Sequence, residues 1–407
     1  MSRSDTLWLD IRTGLNELLL QECHRPYTRA LWSRNDQEPQ IIAFVGHGSK
    51  STAMYELFSL SGDCNHSKIH LRLLPATGTA PSPVLIADCE LHNARRLEKV
   101  LGGPVPADID QRSIACHKKA LSPHDPRAVA NLVYAQLVSP FCSAICIFAD
   151  DIGGTRSVAR MLAAWAGTGG PRHHLSTRAR VLILVRPHKP RTFDEELATT
   201  AFIEELREEV ERTTLRPAEL LRQYFDDLRV LAVLDQDCNG AHDSWTALRS
   251  RILQDSAEVQ GLRRSARTAF GALHLKSLIH SACDHFAADF TVPICLLAAS
   301  RHKNPVSPVL AKHLVNFLQL AYRVSPSDVS NFAVPVIASA LVLDSYPPGM
   351  HRECHPRLLC DLTFCQTSTQ IRSSMFSTPP SFDESIAPSA EVALEYPPTI
   401  SSQSTAD

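Results

Sequence analysis

One short segment combines glycines, a lysine and hydroxyl side chains in the order used by phosphate-binding loops. It reads FVGHGSKST over positions 44–52 and follows an apolar run. A glycine-containing turn between a strand and a helix presents backbone N–H groups to phosphate, and a lysine adds a positive charge. Lys50 is then predicted to reach the β- and γ-phosphates, and the Ser51 hydroxyl to bind Mg²⁺. The segment predicts a site for ATP and Mg²⁺ that is built from Gly46, Gly48, Lys50, Ser51 and Thr52.

The segment departs from the full phosphate-loop motif at two positions. Aligned on Lys50 and Ser51, the pattern G-x-x-x-x-G-K-[ST] requires glycine where this chain has Phe44 and Ser49. The backbone at position 49 must approach the phosphates closely, so a Cβ there would narrow the anion-binding nest that the N–H donors form. The alternative is a plain strand-to-helix turn, in which Ser51 or Thr52 caps the helix and Lys50 is solvated.

Two carboxylates end a second apolar run. The run Ala144–Ala149 leads directly into Asp150 and Asp151. In nucleotide hydrolases, the first acid of such a pair holds Mg²⁺ and the second orients the attacking water. On this interpretation Asp150 is a metal ligand and Asp151 is catalytic. The alternative is that the pair caps the helix that follows, where a negative charge is favoured by the helix dipole.

A third motif is an arginine at the end of an apolar run. Arg186 follows the run Val181–Val185, and one further run separates the loop run from the acidic run along the chain. This order and the three short motifs resemble the additional-strand class of P-loop ATPases, in particular signal-transduction ATPases of the NACHT and NB-ARC type. The resemblance implies that Arg186 contacts the γ-phosphate. The alternative is an exposed arginine at a strand end.

The elements that must position these residues are five apolar runs separated by helical segments. The runs are Ile41–Val45, Val84–Ala87, Ala144–Ala149, Val181–Val185 and Val230–Leu234. Runs that are apolar on both faces indicate the central strands of a parallel sheet covered on both sides. The predicted fold is therefore α/β, a P-loop NTPase-like parallel sheet of about five strands followed by an all-helical domain.

The pattern along the chain predicts four segments. Residues 1–38 are predicted to form a helix and a polar linker, because their apolar residues recur at helical spacing. Residues 39–242 form the predicted P-loop NTPase-like domain, and 243–350 carry helical patterns throughout. Residues 351–407 are rich in serine, threonine and proline, which is typical of a disordered tail.

Composition narrows the function classes. The 41 basic and 43 acidic residues nearly cancel, so we expect protein partners rather than nucleic acid. The 12 cysteines have no regular spacing, which favours reduced thiols and a cytoplasmic location. The longest apolar run, 332–343, is shorter than the roughly 20 residues that a bilayer requires, so no transmembrane segment is predicted.

Weaker groupings of metal-binding or nucleophilic residues also occur. One lies on a predicted helix, where a Cys–His nucleophilic pair is conceivable but packing or surface roles are more common: His274, His280, Cys283 and His285. Two sets of cysteines and histidines, at 64–92 and 354–365, lack the paired spacing of zinc ligands. The segment 235–246 matches a calcium loop except at its last position.

Six longer stretches carry a family resemblance. They are Ile42–Met54, Leu74–Glu90, Leu132–Asp151, Thr192–Thr200, Ser281–Ala288 and Phe332–Met350. They resemble the N-terminal region of large fungal proteins that have a patatin-like phospholipase domain further along. A patatin-like lipase needs a G-x-S-x-G elbow, and the sequence contains none. The resemblance therefore implies an accessory or regulatory region without the lipase.

Two functions follow as alternatives. One is a nucleotide-binding-like regulatory or signalling module with an eroded phosphate loop, whose ATP binding and ATPase activity are weak or lost. The other is a non-catalytic interaction scaffold, a truncated relative of the patatin-like proteins.

Overall fold

The structure is a computed structural model with two compact units, Met1–Ala299 and Ser300–Asp407. It describes residues 6–14, 17–30, 37–60, 68–90, 98–99, 105–114, 126–167, 178–187, 192–213, 227–233, 241–266, 268–290, 292–294, 299, 309–326 and 329–337. The predicted tail and the calcium-loop match at 235–240 lie outside the described residues.

Ten strands of the first unit form one mixed sheet. They are β1 (Leu7–Thr13), β2 (Leu18–Cys23), β3 (Gln40–Val45), β4 (Lys68–Leu73), β5 (Val84–Cys89), β6 (Glu98–Lys99), β7 (Ile109–Ile114), β8 (Cys142–Phe148), β9 (Arg180–Val185) and β10 (Leu228–Ala232). Their spatial order is β10-β9-β8-β3-β5-β4-β1-β2-β7, with β6 beside β1. The five strands from β10 to β5 run parallel, whereas β4, β1, β2 and β7 continue the sheet with antiparallel pairings.

Nine α-helices have both their ends within the described residues. They are α1 (Arg25–Ala30), α2 (Gly48–Phe58), α3 (Pro126–Val133), α4 (Ala149–Ile152), α5 (Thr155–Gly167), α6 (Glu195–Thr213), α7 (Ala241–Ser265), α8 (Ala272–Ala288) and, in the second unit, α9 (Leu310–Val324). The sheet is covered on both faces, by α2 and α7 on one and by α3, α5, α6 and α8 on the other.

Strand β3 explains why the central runs are apolar without alternation. Ile41, Ala43 and Val45 point into the core on one face of the sheet, and Ile42 and Phe44 point into the core on the other. A strand that is buried on both faces has no polar face, so its sequence is continuously hydrophobic.

The α/β class and the positions of the five parallel strands were predicted correctly, but the sheet is larger and mixed. Residues 7–13 and 18–23 form the antiparallel strand pair β1–β2 instead of the predicted helix. Strand β2 is buried along its whole length between β1 and β7, so its apolar residues follow no strand period. A short apolar segment of that kind fits a buried helix equally well, and only its pairing with β1 and β7 decides.

Helices α7 and α8, which lie almost entirely within the predicted helical segment 243–350, belong to the same compact unit as the sheet. Helix α7 packs on β8 and β3, and α8 packs on β7 and β2, so both belong to the first unit. The apolar stripe of α7, which includes Trp245, Leu248 and Ile252, is buried against the sheet. Among the described helices, none is both long and apolar enough to cross a membrane.

Candidate functional site at the carboxyl ends of the parallel strands

The segments that carry the phosphate-loop and acidic motifs meet in space. Strand β8 pairs directly with β3, and β5 pairs with β3 on its other side. Numbering only the five parallel strands along the chain, their order is 2-1-3-4-5, the order of flavodoxin-like sheets. In such sheets ligands bind where the connections leave a central strand in opposite directions, here at the carboxyl ends of β3 and β8.

The connection from β3 to α2 is too short for a full phosphate loop. The strand ends at Val45 and the helix begins at Gly48, so only Gly46 and His47 lie between them. Phe44, at the first glycine position of the motif, is a strand residue packed against Phe58 and Phe148, with ring centroids 5.8 and 6.1 Å away. Regular strand and helix thus occupy positions at which the motif requires an irregular loop.

The backbone N–H groups of this turn already bind an anion that belongs to the chain. The Asp151 carboxylate accepts hydrogen bonds from the N–H of His47 at 2.6 Å, of Ser49 at 2.9 Å and of Lys50 at 3.0 Å. Asp151 lies on α4, immediately after β8, and caps the N-terminus of α2 from there. Burial tends to raise the pKa of Asp151, but the hydrogen bonds from Lys50, Ser49 and His47 outweigh it and hold the pKa below its ordinary value.

Gly46 is the residue that permits this approach. A Cβ at that position would lie 2.6 Å from Asp151 Oδ2 and 2.9 Å from the Cβ of Lys50. A Cβ at Gly48 would have Asp151 Oδ1 as its neighbour at 4.0 Å, an ordinary contact. The glycine at 46 is therefore required by the close contact with Asp151.

Lys50 points away from the turn and into the protein. Its side chain is 0% exposed, and its Nζ lies 2.5 Å from Asp88 Oδ1 and 2.9 Å from Glu90 Oε1. Nζ also donates to the carbonyl oxygen of Cys89, at 3.4 Å. A phosphate-binding lysine must present its ammonium group to the ligand, whereas this ammonium is held by the end of β5.

The charges around Lys50 are nearly balanced within the protein. Arg72 Nη2 lies 3.6 Å from Asp88 Oδ2, and His47 Nδ1 lies 3.7 Å from Glu90 Oε1. Burial raises the pKa of Glu90, Lys50 opposes this, and the charge of Asp88 adds to it. The cations Lys50 and Arg72 and the carboxylates Asp88 and Glu90 thus form a buried network that joins β4, β5 and α2.

The remaining predicted residues do not converge on one ligand position. The Ser51 hydroxyl donates to the carbonyl oxygen of His47 at 2.8 Å, and the Thr52 hydroxyl donates to that of Gly48 at 3.2 Å. Asp150 is exposed on α4 beside Asp151. Arg186 is exposed after β9, and β9 is separated from β3 by β8, a distance of about 10 Å between strand axes.

Sequence reasoning missed the carboxylates that hold Lys50. Asp88 directly follows the predicted run Val84–Ala87 and Glu90 comes two residues later, so in an extended backbone both side chains lie on the same face. That spacing was the available signal. The charge of Lys50 is neutralised by Asp88 and Glu90, and the charge of Asp151 is stabilised by three backbone N–H groups. These contacts form a structural connection between β3, β5, β8 and α2.

Comparison with protein-family models and with curated sequences identifies no relative. No protein-family model matches the chain, and no curated protein matches its sequence significantly. The resemblance to the N-terminal region of patatin-like phospholipase proteins therefore stays a prediction.

Proposed function

We propose that this chain is a non-catalytic regulatory or interaction module in which a phosphate-loop-like turn has become a structural element. The observation that carries the proposal is the position of the Asp151 carboxylate, which accepts hydrogen bonds from the backbone N–H of His47 in the turn and of Ser49 and Lys50 in the first turn of α2. A nucleotide phosphate would need those donors, but the Asp151 carboxylate already occupies the position of the phosphate and would repel it.

The burial of Lys50 supports the same proposal. To reach a phosphate, its ammonium group would have to leave Asp88 and Glu90, and both carboxylates would then stay buried without that partner. Separating a buried ion pair in this way costs several kcal/mol, of the order of 3–5. The free energy of nucleotide binding would therefore have to offset the cost of displacing Asp151 and the cost of separating Lys50 from its two carboxylates.

The competing function is a signalling module that binds ATP and Mg²⁺ weakly. In that module Asp150 would bind Mg²⁺, and Asp151 would leave the backbone N–H groups and orient a water molecule. The exposed position of Asp150 beside the turn favours this second candidate. In it the nucleotide would act as a switch, because its binding would break the contact between α2 and α4.

Titration with fluorescent ATP and GTP analogues in the presence of Mg²⁺ separates the two functions. The module proposed here gives no saturable binding up to millimolar ligand, for the wild type and for Lys50→Ala and Asp150→Ala alike. Saturable micromolar binding by the wild type that is lost in both variants would overturn the proposal and establish a working phosphate site. An established P-loop ATPase serves as the positive control for the analogues.

A further inference from the structure

A second cluster of charged and imidazole side chains lies at the edge of the sheet formed by β2 and β7. It combines four potential metal ligands, and one ligand atom from each lies within 4.8 Å of the others: Glu22, His24, Asp110 and His280. Glu22 is the last residue but one of β2, His24 directly follows β2, Asp110 is the second residue of β7, and His280 lies on α8. The helix that sequence analysis noted for its histidines thus contributes one of them to a site on the sheet.

The distances within this cluster approach those of a coordinated ion. His24 Nε2 lies 2.7 Å from Asp110 Oδ2, and His280 Nδ1 lies 3.0 Å from Glu22 Oε2 and 3.4 Å from Asp110 Oδ2. Zinc bonds to nitrogen and oxygen of about 2.0–2.2 Å in a tetrahedron place the ligand atoms roughly 3.3–3.5 Å apart. Changes of up to about 1.4 Å in the separations between the ligand atoms would therefore bring these four atoms around one ion.

Charge also favours a cation. Glu22 is 0% exposed, and Asp110 and Asp284 lie around the same centre. The guanidinium of Arg112 contacts all three of these carboxylates and supplies one positive charge against their three negative charges. A divalent cation supplies the missing charge, and two imidazole nitrogens with two carboxylates suit zinc better than calcium or magnesium, which prefer oxygen ligands alone.

Arg112 now holds the position that an ion would take. Its Nη2 lies 3.0 Å from Glu22 Oε2, 2.8 Å from His280 Nδ1 and 3.8 Å from Asp110 Oδ2. Its Nε is 2.5 Å from Asp284 Oδ1, on the outer side of the cluster. An ion can therefore replace Nη2 while the ion pair between Arg112 Nε and Asp284 is retained.

We propose that Glu22, His24, Asp110 and His280 form a binding site for one zinc-type divalent ion that ties α8 to β2 and β7. The ion would displace Nη2 of Arg112 from Glu22, Asp110 and His280. Because the ligands come from positions 22 to 280 of the chain, the bound ion would join the hairpin at the N-terminus to a helix more than 250 residues later.

The test uses the full chain after treatment with a chelator. Zn²⁺ is titrated in competition with a chromophoric chelator, and Co²⁺ is added separately because a tetrahedral site gives it a strong visible absorption. The variants are His24→Asn and His280→Asn, two partly exposed positions, and His274→Asn on the same helix is the matched control. Circular dichroism without metal verifies that each variant is folded.

The expected result is one Zn²⁺ per chain and a Co²⁺ spectrum, both retained in His274→Asn. In each ligand variant the affinity should fall by at least the roughly 10–100-fold that loss of even an outer-shell partner costs. Absence of binding by the folded wild type would overturn the proposal. So would binding that His24→Asn and His280→Asn leave unchanged, because the ion would then lie elsewhere.

Discussion

The backbone N–H of His47 donates to the carboxylate of Asp151 across 2.6 Å, although the two residues are 104 positions apart. The first turn of α2 carries no acidic side chain of its own, so its free N–H groups receive their negative partner from α4. Asp151 thus does within the protein what a bound phosphate does in a phosphate loop. This contact fixes the spacing between β3 and β8 at the edge where the fold would accept a ligand.

Replacing Asp151 tests how much that contact stabilises the protein. Asp151→Asn is expected to lower the free energy of unfolding by about 1–3 kcal/mol at neutral pH. The three N–H donors lose a charged acceptor, and the NH₂ group of the asparagine cannot accept a hydrogen bond from them. Thermal or denaturant unfolding measures the change. Asp150→Asn, at the exposed neighbouring position, is the matched control and should change stability by less than about 0.5 kcal/mol. Equal stability of the two variants would contradict the role given to Asp151.

The pH dependence of the same pair gives an independent prediction. The folded-state pKa of Asp151 lies below its ordinary value of 3.8, so folding is favoured by the ionised form. Its stabilising effect is complete above the ordinary value and is lost as the pH falls through the lower, folded-state pKa. The stability difference between wild type and Asp151→Asn should therefore shrink on acidification below pH 3.8. A difference that stays constant over that range would show that the charge of Asp151 is not involved.

Gly46 and Gly48 are expected to respond oppositely to the same substitution. Gly46→Ala forces a Cβ to within 2.6 Å of Asp151 Oδ2 and should destabilise the protein by about 1–3 kcal/mol. Gly48→Ala places its Cβ at an ordinary distance in the first turn of α2, where alanine is the better helix former, so stability should be unchanged or rise by up to about 1 kcal/mol. Denaturant unfolding of the two variants side by side measures both effects. A similar loss in both would mean that the contact with Asp151 does not set the requirement at position 46.

Particular residues show what the sequence could predict. The runs that became β3, β5, β8, β9 and β10 were recognisable because a central parallel strand is apolar on both faces. The hairpin β1–β2 was not, since its pairing with strands β4 and β7 lies far along the chain. At the site, the sequence predicted a phosphate-binding role for Lys50 and a catalytic role for Asp151. Their actual partners, the end of β5 and the turn before α2, depend on side-chain directions that no motif specifies.

Lys50 provides a test that distinguishes a structural lysine from a ligand-binding one. Lys50→Met keeps the aliphatic stem but leaves Asp88 and Glu90 buried without the ammonium group, so we expect a loss of about 3–5 kcal/mol. Lys99→Met, at an exposed position, is the control. Unfolding curves measure both. The triple variant with Asp88→Asn and Glu90→Gln should recover part of the loss, because the uncompensated charges are gone. A phosphate-binding lysine exposed in the ligand-free protein would instead tolerate methionine with little change.

Ser256 tests whether α7 belongs to the same folding unit as the sheet. Its hydroxyl is fully buried, lies 2.6 Å from that of Ser143 in β8, and donates to Gln40 Oε1 in β3 at 2.7 Å. Ser256→Ala is expected to cost about 1–2 kcal/mol, since the amide oxygen of Gln40 loses its donor in a buried place. Ser250→Ala on the exposed face of α7 should cost much less. Because α7 packs directly on β8 and β3, the loss should shift the same unfolding transition that Asp151→Asn shifts. Two separate transitions, with Ser256→Ala moving one and Asp151→Asn the other, would instead mean that α7 folds apart from the sheet, as a helical domain beginning at residue 243 requires.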